Sequence, residues 1–90
     1  MRHVKITVTG KVQKIGFRFM AMQTAVKLGV SGFVKNVDND KVYIEAEGEE
    51  GKVEEFIKWC KTGPTWARVD QISIEKGELK NFISFDIMQR

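Results

Sequence analysis

Hydrophobic positions along this chain change period several times, and each change marks an element. Val4, Ile6 and Val8 alternate with Lys5, Thr7 and Thr9, the period of two that a strand with one buried face requires. From Phe17 the spacing becomes helical: Phe17, Met20, Ala21, Thr24, Ala25 and Leu28 share one stripe, and Lys27 followed by Gly29 supplies a C-terminal stop. Phe19 and Met22 fall off that stripe. Covering a sheet edge or lining the mouth of the preceding loop are open to them, but plain packing is the expected role.

Gly32 to Val37 and Lys41 to Glu47 are rich in β-branched and aromatic residues and are separated by Asp38-Asn39-Asp40. Such short polar residues tolerate left-handed backbone at a tight turn, so the pattern predicts a β-hairpin. After Gly48, a second helix carries the stripe Val53, Phe56, Ile57 and Cys60. Glu49, Glu50, Glu54 and Glu55 complement its start, Lys58 and Lys61 its end, Glu54 can pair with Lys58, and Gly63-Pro64 stops it. Val69, Ile72 and Ile74 predict a strand whose change of parity calls for a bulge near Asp70 or Gln71. Gly77 to Asn81 is the next loop, and Ile83, Phe85 and Ile87 alternate with Ser84, Asp86 and Met88 in a last strand. His3, on the polar face of the first strand, is expected to be exposed.

The order strand, helix, strand, strand, helix, strand, plus one terminal strand, predicts an α+β fold. A split βαβ arrangement with both helices on one face of a mainly antiparallel sheet accommodates it. Residues 1–90 are read as a single domain, since 90 residues are enough for one small core and show no repeat or linker. Neither a membrane span nor a signal peptide is expected, because the apolar runs are only a few residues long; the expected location is cytoplasmic. One cysteine, Cys60, and one histidine, His3, leave no cluster of metal-ligand spacing, so neither a disulfide nor a metal or other cofactor is expected. Cys60 is expected in the core. The net charge of +3 suits a small anion and falls short of a nucleic-acid footprint.

The chemistry concentrates where the first strand meets the first helix, Gly10-Lys11-Val12-Gln13-Lys14-Ile15-Gly16-Phe17-Arg18. A helix N-terminus presents unpaired N–H groups and the positive end of its dipole. Here no Ser, Thr, Asp or Asn stands between Gln13 and Phe17 to cap it, and no acidic residue enters the first turn. Lys11, Lys14 and Arg18 add further positive charge. The junction therefore reads as an anion cradle that a phosphate would complete.

These residues resemble the acylphosphatase family over nearly the whole chain. The family's loop, Gly-x-Val-Gln-Gly-Val-x-Phe-Arg, is matched by Gly10, Val12, Gln13, Phe17 and Arg18, with Ile15 for Val. A second motif, a glycine and an aromatic residue leading to a basic residue and Asn, is similar to Gly32-Phe33-Val34-Lys35-Asn36. Leu28-Gly29, Val42, Gly48 and the closing Phe85-x-Ile87 agree with it. The resemblance implies a ferredoxin-like βαββαβ sandwich with sheet order 4-1-3-2 and the short last strand at an edge. It implies metal-free hydrolysis of small acyl phosphates, with inorganic phosphate as product and inhibitor. Gln13, Lys14, Ile15, Gly16, Phe17 and Arg18 would form the phosphate-binding loop, Arg18 would bind the phosphoryl group, and the Asn36 amide would orient the attacking water.

One position departs from the family: Lys14 stands where the family has glycine. If that residue is left-handed, lysine there costs roughly 1–2 kcal/mol. A non-catalytic anion-binding regulatory domain of the same fold is the second reading. A nucleic-acid-binding module ranks below it, because the first strand offers Lys5, Thr7 and Thr9 where stacking aromatics are required. Trp59 and Trp66 are expected to pack or cover a loop, with contact to an acyl group as the alternative. A monomer is expected.

Overall fold

In the computed structural model, which describes residues 1–89, the chain runs β1 (Arg2–Lys11), α1 (Phe17–Leu28), β2 (Ser31–Val37), β3 (Lys41–Gly48), α2 (Glu50–Thr62), β4 (Arg68–Lys76) and β5 (Phe85–Met88). The strands form one sheet in the order β4-β1-β3-β2-β5. β1 is antiparallel to β3 and β4, β2 is antiparallel to β3, and β5 lies parallel to β2. This is the ferredoxin-like α+β sandwich, with the short last strand at an edge.

The alternating pattern translates directly into a core. Register aligns Ile74, Ile6, Ile44, Val34 and Ile87 across all five strands, and directly paired residues share a face of a sheet. Phe17, Ala21 and Ala25 of α1 and Val53, Phe56, Ile57 and Cys60 of α2 join the buried members of that face in one hydrophobic cluster. Phe56 sits at its centre, stacking on Trp59 and meeting Phe85 edge-on. Truncating it to alanine would cost roughly 3–5 kcal/mol, the usual range for a buried aromatic. Burial pushes the Cys60 thiol well above its ordinary pKa, as befits a core residue. α1 ends at left-handed Gly29, whose neighbour Val30 donates back to the Ala25 carbonyl at 2.8 Å.

The irregularity expected near Asp70 is present. Thr9 pairs with Gln71 and Gly10 with Val69, so Asp70 is the unpaired extra residue of a bulge. Gly10 is required opposite it: at φ 147° a Cβ would run into the Arg68 carbonyl. The bulge falls where β1 gives way to the cradle loop, and it re-aims the chain there.

Three details differ from the sequence reading. The last strand starts at Phe85, and Ile83 lies before it, almost fully exposed. Glu54 pairs with Arg2 at 3.2 Å, across 52 positions, in place of Lys58. His3 is buried, only 2% exposed. Its ring nitrogens each meet a carboxylate at 2.8 Å, Nδ1 with Glu47 and Nε2 with Glu45.

The cover over His3 is the segment linking β4 to β5, which must cross the face opposite the helices because its strands lie at opposite edges. Lys80 donates through Nζ to Glu45 at 2.8 Å and through its backbone N–H to Glu47 at 2.7 Å. The Phe82 N–H also donates to Glu47, and the Phe82 ring stacks on His3. Burial pushes the Glu45 carboxyl up, but hydrogen bonds from Lys80, Tyr43 and His3 outweigh it and bring it to about 2. Glu47 is shifted downward too: the Lys80 and Phe82 N–H groups and His3 together overcome its burial. Alternation along β1 could not reveal this, since the covering residues are distant in sequence.

Candidate active site

The loop between β1 and α1 folds by alternating hand. Lys14 has φ 64° and Gly16 φ 83°, with Ile15 between them outside the left-handed region. Such alternation turns consecutive N–H groups toward one side, the geometry of an anion nest. Gly16 is the N-cap of α1 and offers no side-chain cap, and the first turn holds no acidic residue. The first intrahelical bond runs from the Met20 N–H to the Gly16 carbonyl at 3.0 Å. The N–H groups of Phe17, Arg18 and Phe19 precede it and have no intrahelical acceptor.

These groups border a cavity of about 250 Å³ lined by Val12, Lys14, Gly16, Phe17, Arg18, Phe19, Asn36, Ile87 and Gln89. Arg18 donates through Nη1 to the Met88 carbonyl at 3.1 Å, so the edge strand β5 fixes its direction. Asn36, near the end of β2, presents a buried side-chain oxygen, Oδ1, with no hydrogen-bond partner among the protein groups. A buried acceptor without a partner costs about 1–3 kcal/mol and calls for a donor from a bound species. A larger hollow of about 570 Å³ lies between the N-terminus and the end of β4, lined by residues such as Met1, Ile74 and Leu79. Of these two, the smaller cavity combines a guanidinium, an uncapped helix start and an unpaired amide oxygen among the described residues.

The structure thus brings Lys14, Gly16, Phe17, Arg18 and Asn36 together. The side chains of Gln13 and Ile15 turn elsewhere and act on the loop's shape. Gln13 Nε2 reaches the carbonyls of Val37, Asp38 and Lys41 at 3.2, 2.9 and 2.8 Å. It ties the cradle to the turn that follows Asn36 and so sets the spacing between the two halves of the site. Ile15 packs on the core, and its carbonyl accepts from Trp66 Nε1 at 2.7 Å.

Trp66 is therefore loop cover, as expected, while Trp59 packs against Phe17. Phe19 does not follow the expectation of plain packing. It is 51% exposed and stands on the rim of the cavity. Met22 does pack partly against the core.

A ferredoxin-like fold with an uncapped helix start, a guanidinium and an unpaired amide oxygen around one cavity at the β1–α1 junction defines the class. The acylphosphatase family model matches residues 4–87, and the chain belongs to the acylphosphatase family. It is 39% identical over 84 residues to an acylphosphatase of Archaeoglobus fulgidus, covering 93% of this chain and 94% of the relative. It is 47% identical over 73 residues to one of Geotalea uraniireducens, covering 81% and 80%. The crystal structure of acylphosphatase from Bacillus subtilis superposes with a TM-score of 0.93 at 35% identity, covering 98% of this chain and 99% of that one.

Proposed function

We propose that this protein hydrolyses acyl phosphates to a carboxylate and inorganic phosphate without a metal ion, one chain of residues 1–90 supplying the whole site. The observation that carries the reading is the buried, unpaired Oδ1 of Asn36 in the same cavity as Arg18 and the uncapped start of α1. The phosphoryl oxygens lie in the nest, held by the N–H groups of the loop and by Arg18. A water donates a hydrogen bond to Asn36 Oδ1, which points its lone pair at phosphorus.

Attack forms the new P–O bond as the bond to the acyl oxygen breaks. The electron pair leaves with the carboxylate, and the water's protons pass to phosphate and solvent. The departing acid has a pKa of roughly 4, so it leaves as an anion at neutral pH without a proton donor. That fits a cavity whose described lining holds two cations and two side-chain amides but no carboxylate or imidazole. Positioned donors supply the charge stabilisation that phosphoryl transfer needs. We place the protein in the cytoplasm, with which its one buried free thiol, Cys60, is compatible.

The test is hydrolysis of benzoyl phosphate after exhaustive chelation, with inorganic phosphate binding measured in parallel. Turnover that survives EDTA is expected. Activity that vanishes with EDTA and returns with a divalent cation would overturn the metal-free mechanism. Phosphate binding with no turnover would identify a regulatory anion-binding domain instead.

A further inference from the structure

Two apolar side chains on α1 are conspicuously uncovered: Phe19 is 51% and Val26 63% exposed. They lie seven residues apart, on one side of the helix, with Met22 between them at helical spacing. Met22 and Val26 share a shallow hollow with Gln23 and Lys27. α1 contains no acidic residue at all, only Arg18 and Lys27 as charges. Phe19 also belongs to the rim of the catalytic cavity, so the apolar stripe starts at the mouth of the site.

The layout of that cavity determines where an acyl group must go. Its depth is formed by Val12 and Phe17, each 1% exposed, and by the buried oxygen of Asn36. Its exposed rim is Lys14, Gly16, Phe19 and Gln89. Attacking and leaving oxygens stand roughly in line across phosphorus. A water held by Asn36 attacks from the deep side, so the acyl oxygen departs on the rim side, beside Phe19.

We infer that the outward stripe Phe19–Met22–Val26 is the acyl-group subsite, and that the preferred substrates are acyl phosphates with an extended apolar acyl chain. This rests on the acyl phosphate reading above and adds the class of acyl group. Seven residues at 1.5 Å each span about 10 Å, the length of roughly an eight-carbon chain. An alkyl tail on this surface meets apolar side chains while its phosphate meets Lys14 and Arg18, and Lys27 beside Val26 marks the far end of the stripe.

The experiment compares kcat/KM for acetyl, butyryl and octanoyl phosphate, using the wild-type protein and the exposed-site variants Phe19→Gln and Val26→Gln. Half-covered methylenes on an open surface contribute roughly twofold each, so octanoyl phosphate should exceed acetyl phosphate by at least about 10-fold. The octanoyl-to-acetyl ratio should fall by about threefold or more in each variant, with unchanged melting curves. A flat or falling dependence on chain length, with all three acyl phosphates hydrolysed, overturns the subsite and leaves the activity standing. A rising dependence that both variants retain puts the chain elsewhere and overturns it too. Hydrolysis of none of the three removes the activity itself. Sedimentation velocity adds one more outcome: a dimer that Val26→Gln dissociates would make the stripe a contact between copies, against the proposal.

Discussion

Replacing Lys14 by glycine should make the protein both more stable and faster. Lys14 holds φ 64°, a left-handed conformation that disfavours a side chain by about 1–2 kcal/mol. Glycine removes that strain but returns about 0.5–1 kcal/mol through its greater freedom in the unfolded chain. The net gain is about 0.5–1 kcal/mol, which for a domain of this size raises Tm by roughly 3–6 °C. Lys14→Ala is the decisive control, because it deletes the ammonium while keeping the Cβ and the strain.

The two variants should therefore share one effect and differ in another. Both lose a cation on the rim of the cavity, so inhibition by inorganic phosphate should weaken in each, by less at high salt. Only glycine lets the backbone approach the phosphoryl group without a Cβ. About 1 kcal/mol of better transition-state fit would raise kcat roughly fivefold in Lys14→Gly and leave Lys14→Ala near the wild type. The assays are thermal and urea unfolding with steady-state kinetics on benzoyl phosphate at two salt concentrations. If Lys14→Gly melts no higher than Lys14→Ala and turns over more slowly than the wild type, the lysine is an adaptation for turnover and the strain reasoning fails.

Arg18→Ala should abolish both phosphate affinity and turnover, whereas Asn36→Ala should lower kcat by roughly 100-fold with little change in phosphate inhibition, since a water-orienting amide matters only when water attacks; equal losses of binding in both variants would refute the division of roles. Gln13→Ala should destabilise the fold by about 1–2 kcal/mol and cut kcat by roughly 10-fold or more through misplacement of the cradle against Asn36; full kcat in a variant destabilised to that extent would show that the clamp is structural only. Stability should also depend on acid: the Glu45 carboxyl is lowered from 4.5 to about 2 in the folded protein, so its contribution is complete above pH 4.5 and is lost as pH falls from there towards 2. That depression corresponds to about 3 kcal/mol, so urea midpoints should fall steeply between pH 5 and 2, and Glu45→Gln should flatten this slope; equal slopes in both proteins would remove Glu45 as the cause.

Local physics was legible in the chain wherever a residue's role is set by its near neighbours. Period-two and helical spacing located three strands and both helices, β-branched and aromatic content around a polar turn located the hairpin, the change of parity at Val69 and Ile72 located the bulge at Asp70, and the missing cap located the uncapped start of α1. The sheet order with a short last strand at an edge, and the assembly of Asn36 with the cradle, were read from family resemblance, because local periodicity does not encode which distant strands meet; that β5 takes the edge beside β2 is seen only in the structure. The roles of Arg18 and Asn36 remain tied to the kinetic tests above.

Tertiary structure alone decided what long-range contacts impose. His3 reads as a surface residue because its β1 neighbours Lys5 and Thr7 are polar, yet the segment crossing from β4 to β5 buries it between Glu45 and Glu47. Gln13 looks like part of the anion loop, and only the return of the β2–β3 turn shows that its amide holds that turn instead. Phe19 looks like packing until the helix is docked and leaves it on the rim. Periodicity reports which face of an element is apolar; what comes to cover the other face depends on residues dozens of positions away, and so does the placement of any polar group whose partner lies there.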